Sequence, residues 1–154
     1  MIKPKPQKRA EALQPLSREH HHGLLFCWKV RTGLKKGVEV KRIKKYADWF
    51  FKNHIIPHFK TEEKYVFTVL EETDDLIKKA LAQHRKILRL FKSKEDLEKN
   101  LTLLEECLEA HIRFEERTLF NRIQEVASTE QLKQIELVHA DEKFEDNLTD
   151  PFWE

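Results

Sequence analysis

Asn53-His54-Ile55-Ile56-Pro57-His58-Phe59-Lys60-Thr61-Glu62-Glu63 lies near the middle of a long apolar-periodic segment. His58 and Glu62 are four residues apart, so a helix places them one turn apart on one face. An imidazole nitrogen and a carboxylate that converge on one point can hold a transition metal. The spacing recurs at His111 and Glu115, where Leu104, Leu108, His111 and Glu115 continue one stripe at intervals of three and four. One such pair is weak evidence in a chain this rich in glutamate. Two pairs on separate core-facing stripes weigh more, because buried polar groups are costly unless satisfied, and a shared cation satisfies both pairs at once.

Around this stretch the sequence reads as helices. Residues 1–15 carry Lys3, Lys5, Lys8 and Arg9 among prolines and read as a flexible basic arm. A first helix is expected from Ser17, a good N-cap, to about Leu34, with Gly33 and Gly37 bracketing its end. Gly23 inside it is costly for a helix and marks a place of close approach. A second long helix spans about 38–71, with a bend at Pro57. A third follows the acidic start Thr73-Asp74-Asp75, and a fourth follows Ser93 and Asp96. Ser128 and Gln131 form a capping box for a shorter fifth helix, ending near His139. Four long helices with short links predict an all-α, up-down-up-down four-helix bundle over residues 16–140, with a short additional C-terminal helix and a tail over 141–154. Phe152 and Trp153 have no clear place from the sequence.

The totals agree. The 154 residues suffice for one domain with a real core, and 3 glycines with 36% charged residues favour helices. A formal net charge of +2 gives no case for nucleic acid. Cys27 and Cys107 lack CxxC spacing, and no apolar run is long enough to span a bilayer. A soluble protein of the reducing cytoplasm, with no membrane partner, is the expectation.

Beyond the two pairs, His84 lies on the apolar face of the third helix and is the expected third imidazole ligand. The first helix offers His20, His21 and His22 in succession. His20 and His21 flank its apolar face almost equally, and His22 projects away from Leu24 and Trp28. His21 is preferred, because Leu24 and Leu25 follow it as Ile87 and Leu88 follow His84. His54, one turn before His58, is left between a further ligand, a supporting group and a proton carrier. His139 is expected outside the site. Phe59, Phe114 and Trp28 are expected to exclude water, and Tyr65 is read as a core or rim residue. A rival Glu-x-x-His reading through Glu19/His22 and Glu136/His139 ranks lower, since the fifth helix is short. The predicted metal set is His21, His58, Glu62, His84, His111 and Glu115.

One His, a His-x-x-x-Glu, one His and a second His-x-x-x-Glu on successive helices resemble the hemerythrin-like, or HHE cation-binding, domains. The local phrases Arg18-Glu19-His20-His21, Pro57 to Glu63 and Ala110 to Glu116 fit as well, and the likeness covers about residues 16–126. The resemblance implies a bundle around a non-haem di-iron centre, with Glu62 and Glu115 bridging the irons and the histidines as terminal ligands. Imidazole and carboxylate suit iron, although they leave manganese and zinc open. The oxygen-carrying members have a further His one turn from the third-helix ligand. Here those places hold Ala80 and Leu88, which favours sensing, or redox chemistry on peroxide or nitric oxide, over simple oxygen carriage.

Overall fold

The computed structural model describes residues 8–139 and 144–154. Its first rod is α1 (Gln14–Lys35), entered through a 3-10 turn at Glu11–Leu13. Leu13, Leu16, His20, Gly23, Cys27, Val30 and Gly33 are all buried in it, a stripe at intervals of three and four. Ser17 is therefore no cap. It lies inside the helix, and its hydroxyl donates to Glu116 at 2.9 Å. Pro15 sits in the first turn, where a missing N–H costs nothing.

The expected arm is thus shorter than 1–15. Residues 1–7 lie outside the described residues. From Arg9 the chain is docked: the guanidinium donates to the Glu116 carbonyl at 2.6 Å and to Asn121 at 3.1 Å, while Ala12 and Leu13 are buried. Gly37, at φ +74°, closes α1 in the left-handed region.

The second rod runs over residues 40–69 as α2 (Val40–Phe50), a π-helical turn (Phe51–Ile55), α3 (Ile56–Thr61), a second π-helical turn (Glu62–Val66) and a 3-10 turn at Phe67–Val69. Pro57 cannot donate to the preceding turn. The backbone accommodates it by widening just upstream, where the Ile56 N–H reaches the Phe51 carbonyl. The third rod is α4 (Asp75–Lys92), capped by Asp74, whose side chain accepts from the Leu76 N–H at 2.8 Å.

The fourth rod begins at Leu97 rather than at a Ser93 cap. Asp96 takes φ +44°, and Asn100 closes the link by donating to Ser93 Oγ and to the Glu95 carbonyl, both at 2.7 Å. It comprises α5 (Leu97–Phe114), a π-helical turn (Glu115–Leu119) and α6 (Phe120–Val126). The Ser128–Gln131 capping box opens α7 (Thr129–Val138) as expected.

Rods of this length joined by links of a few residues pack as antiparallel neighbours. Helix α5 lies between α1 and α4. At Gly23 a Cβ would fall 2.7 Å from Ile112 Cδ1, so the missing side chain lets α1 and α5 close together. Two apolar clusters result. One gathers Phe26, Phe50, Phe91, Leu104 and Phe152, and the other Leu13, Leu16, Val66, Phe120 and Ile135.

Sequence reading left the C-terminal residues unplaced. They fold back on α1 and α2. Phe152 is 2% exposed, and Gly33 is the notch that admits it rather than a helix terminus. Asp146 accepts from the Lys29 ammonium and from the Tyr46 hydroxyl, the latter at 2.6 Å. Burial opposes ionisation of Asp146, but the bonds from Lys29 and Tyr46 outweigh it and hold its carboxyl below the ordinary 3.8. A depressed carboxyl stabilises fully above its unfolded value, and the gain is lost as pH falls through the folded value. Asp146→Asn is therefore expected to lower stability by about 1–3 kcal/mol at pH 7. The two proteins should converge as pH falls through the folded value, as read from urea midpoints across pH. A pH-independent difference would place the effect in packing rather than charge.

Candidate metal centre

Between the two apolar clusters lies a buried polar layer. His20 from α1, His58 from α3, His84 from α4 and His111 from α5 meet Glu62 and Glu115, each the first residue of a π-helical turn. None of the six is more than 8% exposed, and both glutamates are at 0%. Their ligand atoms form two sets: His20, His58, Glu62 and Glu115, and His84, His111, Glu62 and Glu115. Within each set the atoms lie within 4.8 Å of one another, and both glutamates belong to both sets. A π turn widens the helix by one residue locally and is often found at functional sites. Here one begins at each shared carboxylate.

The distances describe a ring of acceptors. Glu115 Oε1 is 3.0 Å from both His20 Nε2 and His111 Nε2. Glu62 Oε1 is 3.3 Å from His58 Nε2 and 3.2 Å from His84 Nε2. The imidazoles also face each other, His20 to His58 at 3.2 Å and His84 to His111 at 3.1 Å, Nε2 to Nε2.

The outer nitrogens explain why the inner ones are acceptors. Every Nδ1 is committed as a donor: His20 to Glu116 at 2.9 Å, His58 to Glu19 at 2.5 Å, His84 to Glu63 at 2.8 Å and His111 to Gln83 at 2.6 Å. An imidazole whose Nδ1 carries the proton presents a lone pair at Nε2. Four such lone pairs then converge on two carboxylates, of which Glu62 Oε1, Glu62 Oε2 and Glu115 Oε2 have no hydrogen-bond partner. Buried acceptors facing acceptors are unfavourable without positive charge among them.

Electrostatics point the same way. Burial alone would depress His58, yet Glu62 and Glu19 lift it to about 10. Burial likewise opposes charge on His84, but Glu62 and Glu63 raise it to about 9. His20 is raised well above its ordinary value, because Glu115, Glu116 and Glu62 outweigh its burial. Glu62 is held well below the carboxylate range despite burial, chiefly by His58. Each shift is a demand for a cation at the centre, which protons or a metal ion can meet.

Of the predicted residues, His58, Glu62, His84, His111 and Glu115 are brought together, and His21 is not. His21 is exposed, its ring packed edge-on to His22, and His20 takes the place expected for it. The buried stripe through Leu13 and Leu16 sets the phase of α1. Leu25, which with Leu24 favoured His21, is 38% exposed, and Trp28 is 47% exposed. Trp28 therefore shields nothing at the centre. Phe59 does, stacked on His84 with centroids 3.6 Å apart, and Phe120 stacks on His20. Phe114 is only half-buried, under Lys79, and Tyr65 packs at the rim of the second apolar cluster. His54 joins neither set and packs against Phe144.

Sequence reasoning missed the orienting layer. Residues beside each ligand supply it: Glu19 precedes His20, Gln83 precedes His84, and Glu63 and Glu116 follow the shared glutamates. The Glu-Glu doublets were visible, and their second member turns out to hold an imidazole of a neighbouring rod. His139, expected outside, touches this layer. Its Nε2 is 3.1 Å from Glu19 Oε1, while Glu19 Oε2 holds His58. Burial pushes Glu19 up, but His139 and His58 outweigh it and keep its carboxyl at about 2. A cavity of about 640 Å³ reaches the centre from the side of Glu19, His20, His58 and His139, with Phe50 and Ile112 among its walls and Arg18 also lining it.

Fold and donor set together define a helical-bundle protein with a buried carboxylate–imidazole cation centre. The family model described as the hemerythrin HHE cation binding domain matches residues 12–123, well over half of the chain. The chain belongs to that family. Neither a curated protein nor a solved structure matches it. Among the described residues no helix is long and apolar enough to cross a membrane.

Proposed function

We propose that the centre holds two iron ions and that the protein binds or senses dioxygen or a related diatomic ligand. In this reading His20 and His58 hold one ion, His84 and His111 the other, and Glu62 and Glu115 bridge them. The observation that carries it is the convergence of four acceptor nitrogens on two buried carboxylates, three of whose four oxygens have no hydrogen-bond partner. When bound, such ions supply an open coordination position and exchange electrons with a small ligand. The chain's own residues hold the donors in one tautomer through Glu19, Glu63, Gln83 and Glu116. Phe59 and Phe120 keep bulk water from two of the imidazoles, and the cavity gives a small molecule a path in.

A second reading, a redox enzyme acting on peroxide or nitric oxide, is favoured by the number of imidazoles. Each set has two. Ala80 is packed in the core, where an oxygen carrier would place another ligand, and His54 does not substitute. Turnover of peroxide or nitric oxide by iron-loaded protein separates the two readings.

Elemental analysis of protein expressed with supplemental iron tests the metal assignment, with two ions per chain expected. His20→Ala should fall to about one ion per chain, because it removes a donor from one set only. His21→Ala should retain both. If His21→Ala loses metal and His20→Ala does not, the assignment in α1 is wrong.

A further inference from the structure

The donor sets are related by a repeated arrangement. The residue before each single histidine orients the histidine of a His-x-x-x-Glu pair: Glu19 holds His58, and Gln83 holds His111. The residue after each shared glutamate orients a single histidine: Glu116 holds His20, and Glu63 holds His84. The repeat is broken at one place. Position 19 is a carboxylate and position 83 a neutral amide. Behind the His20/His58 set stand two carboxylates, and behind the His84/His111 set only one.

A carboxylate on Nδ1 makes Nε2 a stronger donor to a cation than a neutral carbonyl does, and it adds negative charge nearby. Other charges around the first set offset this only in part. Arg9 approaches Glu116 at 3.9 Å, but that contact is partly exposed and screened. His139 meets only Glu19 Oε1, at 3.1 Å, and leaves Oε2 on His58 Nδ1. Glu63, the lone carboxylate of the second set, is 43% exposed in its side chain, against 30% for Glu19 and 31% for Glu116. Charge count and burial both favour the first set.

We infer that the two cation positions are unequal by construction: the His20/His58 position, backed by Glu19, fills first and holds its ion more tightly than the His84/His111 position, backed by Gln83. This rests on the two-ion reading. Glu19 and Gln83 act as positioning residues, through the imidazoles they hold.

The test is calorimetric titration of full-length, metal-stripped protein with Zn²⁺, which is free of redox change. Two steps are expected, separated by about 10–100-fold in affinity, the range such outer partners command. Single-position variants identify them: His84→Ala should keep only the tight step and His20→Ala only the weak one. Glu19→Gln should weaken the tight step by about 10-fold or more and leave the other in place. Gln83→Glu should tighten the weak step, and the double exchange should reverse the order, which loss of structure could not do. Two steps of equal affinity, or a Glu19→Gln that moves only the weak step, overturn the inference while the two-ion reading stands. Failure of wild-type protein to bind two ions defeats that reading, and the inference with it.

Discussion

If the centre holds the two ions proposed, Glu62→Ala and Glu115→Ala should each lose both while keeping a helical fold. The expectation follows from membership. Every histidine at the centre belongs to one donor set, but each glutamate belongs to both. Removing one carboxylate takes a donor and a negative charge from two positions at once. The four imidazoles and one remaining carboxylate would then have to hold two divalent ions with a single negative charge. Without metal each change still removes a buried carboxylate that lies 3.0–3.3 Å from two imidazoles, so the apo fold should weaken as it does on loss of a buried ion-pair partner, yet stay helical. The rods also carry apolar clusters above and below the layer. Thermal stability of metal-loaded protein should drop by more, since a bound ligand at about a thousand times its dissociation constant contributes about 4 kcal/mol per site. Elemental analysis and circular dichroism of the two variants decide the matter. Two ions retained in both would defeat the bridging roles, and one ion retained in each would show that the carboxylates serve single positions.

How far the sequence carried this reading depends on which physical signal each element leaves. The pairs His58/Glu62 and His111/Glu115 were legible because helical periodicity fixes four-residue neighbours whatever the tertiary context. His84 was legible because Ile77, Ala80, Ile87 and Phe91 place it on one buried face. The choice between His20 and His21 turns on a rotation of about 100°. It was misread because residues before Pro15 were assigned to an arm. That assignment removed Leu13, and the expected start at Ser17 removed Leu16, the two residues that continue the buried stripe through His20 and Gly23. Apolar Leu24 and Leu25 then set a false phase. Helix signals gave the acidic start of α4 and the Ser128–Gln131 box correctly, though not Asp74 as the cap. They failed at Ser93, where Asn100 and a left-handed Asp96 close the link instead. The orienting groups Glu19, Glu63, Gln83 and Glu116 come from neighbouring rods, so no local pattern marks their partners.

The C-terminal residues are the other place where local patterns were silent, and they yield the second large expected effect. Phe152→Ala should cost about 3–5 kcal/mol, the usual range for emptying a buried aromatic site, without changing metal content. The ring is 2% exposed and belongs to the apolar cluster that includes Phe26, Phe50 and Phe91, away from the acceptor layer. It occupies the space left by Gly33, where a Cβ would lie 2.7 Å from two ring carbons and 3.0 Å from Ile43 Cδ1. Gly33→Ala should therefore also destabilise, by about 1–3 kcal/mol, through overpacking. The two changes act on one volume, so their effects should not add: once the ring is gone the alanine methyl has room, and the double variant should be less destabilised than the sum of the singles. Urea denaturation of the four proteins measures this cycle. Strict additivity, or a Phe152→Ala cost below about 1 kcal/mol, would mean that the ring is not seated against Gly33 in solution. Lys29, with its ammonium over the Trp153 ring at 4.0 Å, and Arg42, paired with Asp150, would then be holding a segment that contributes little to the core.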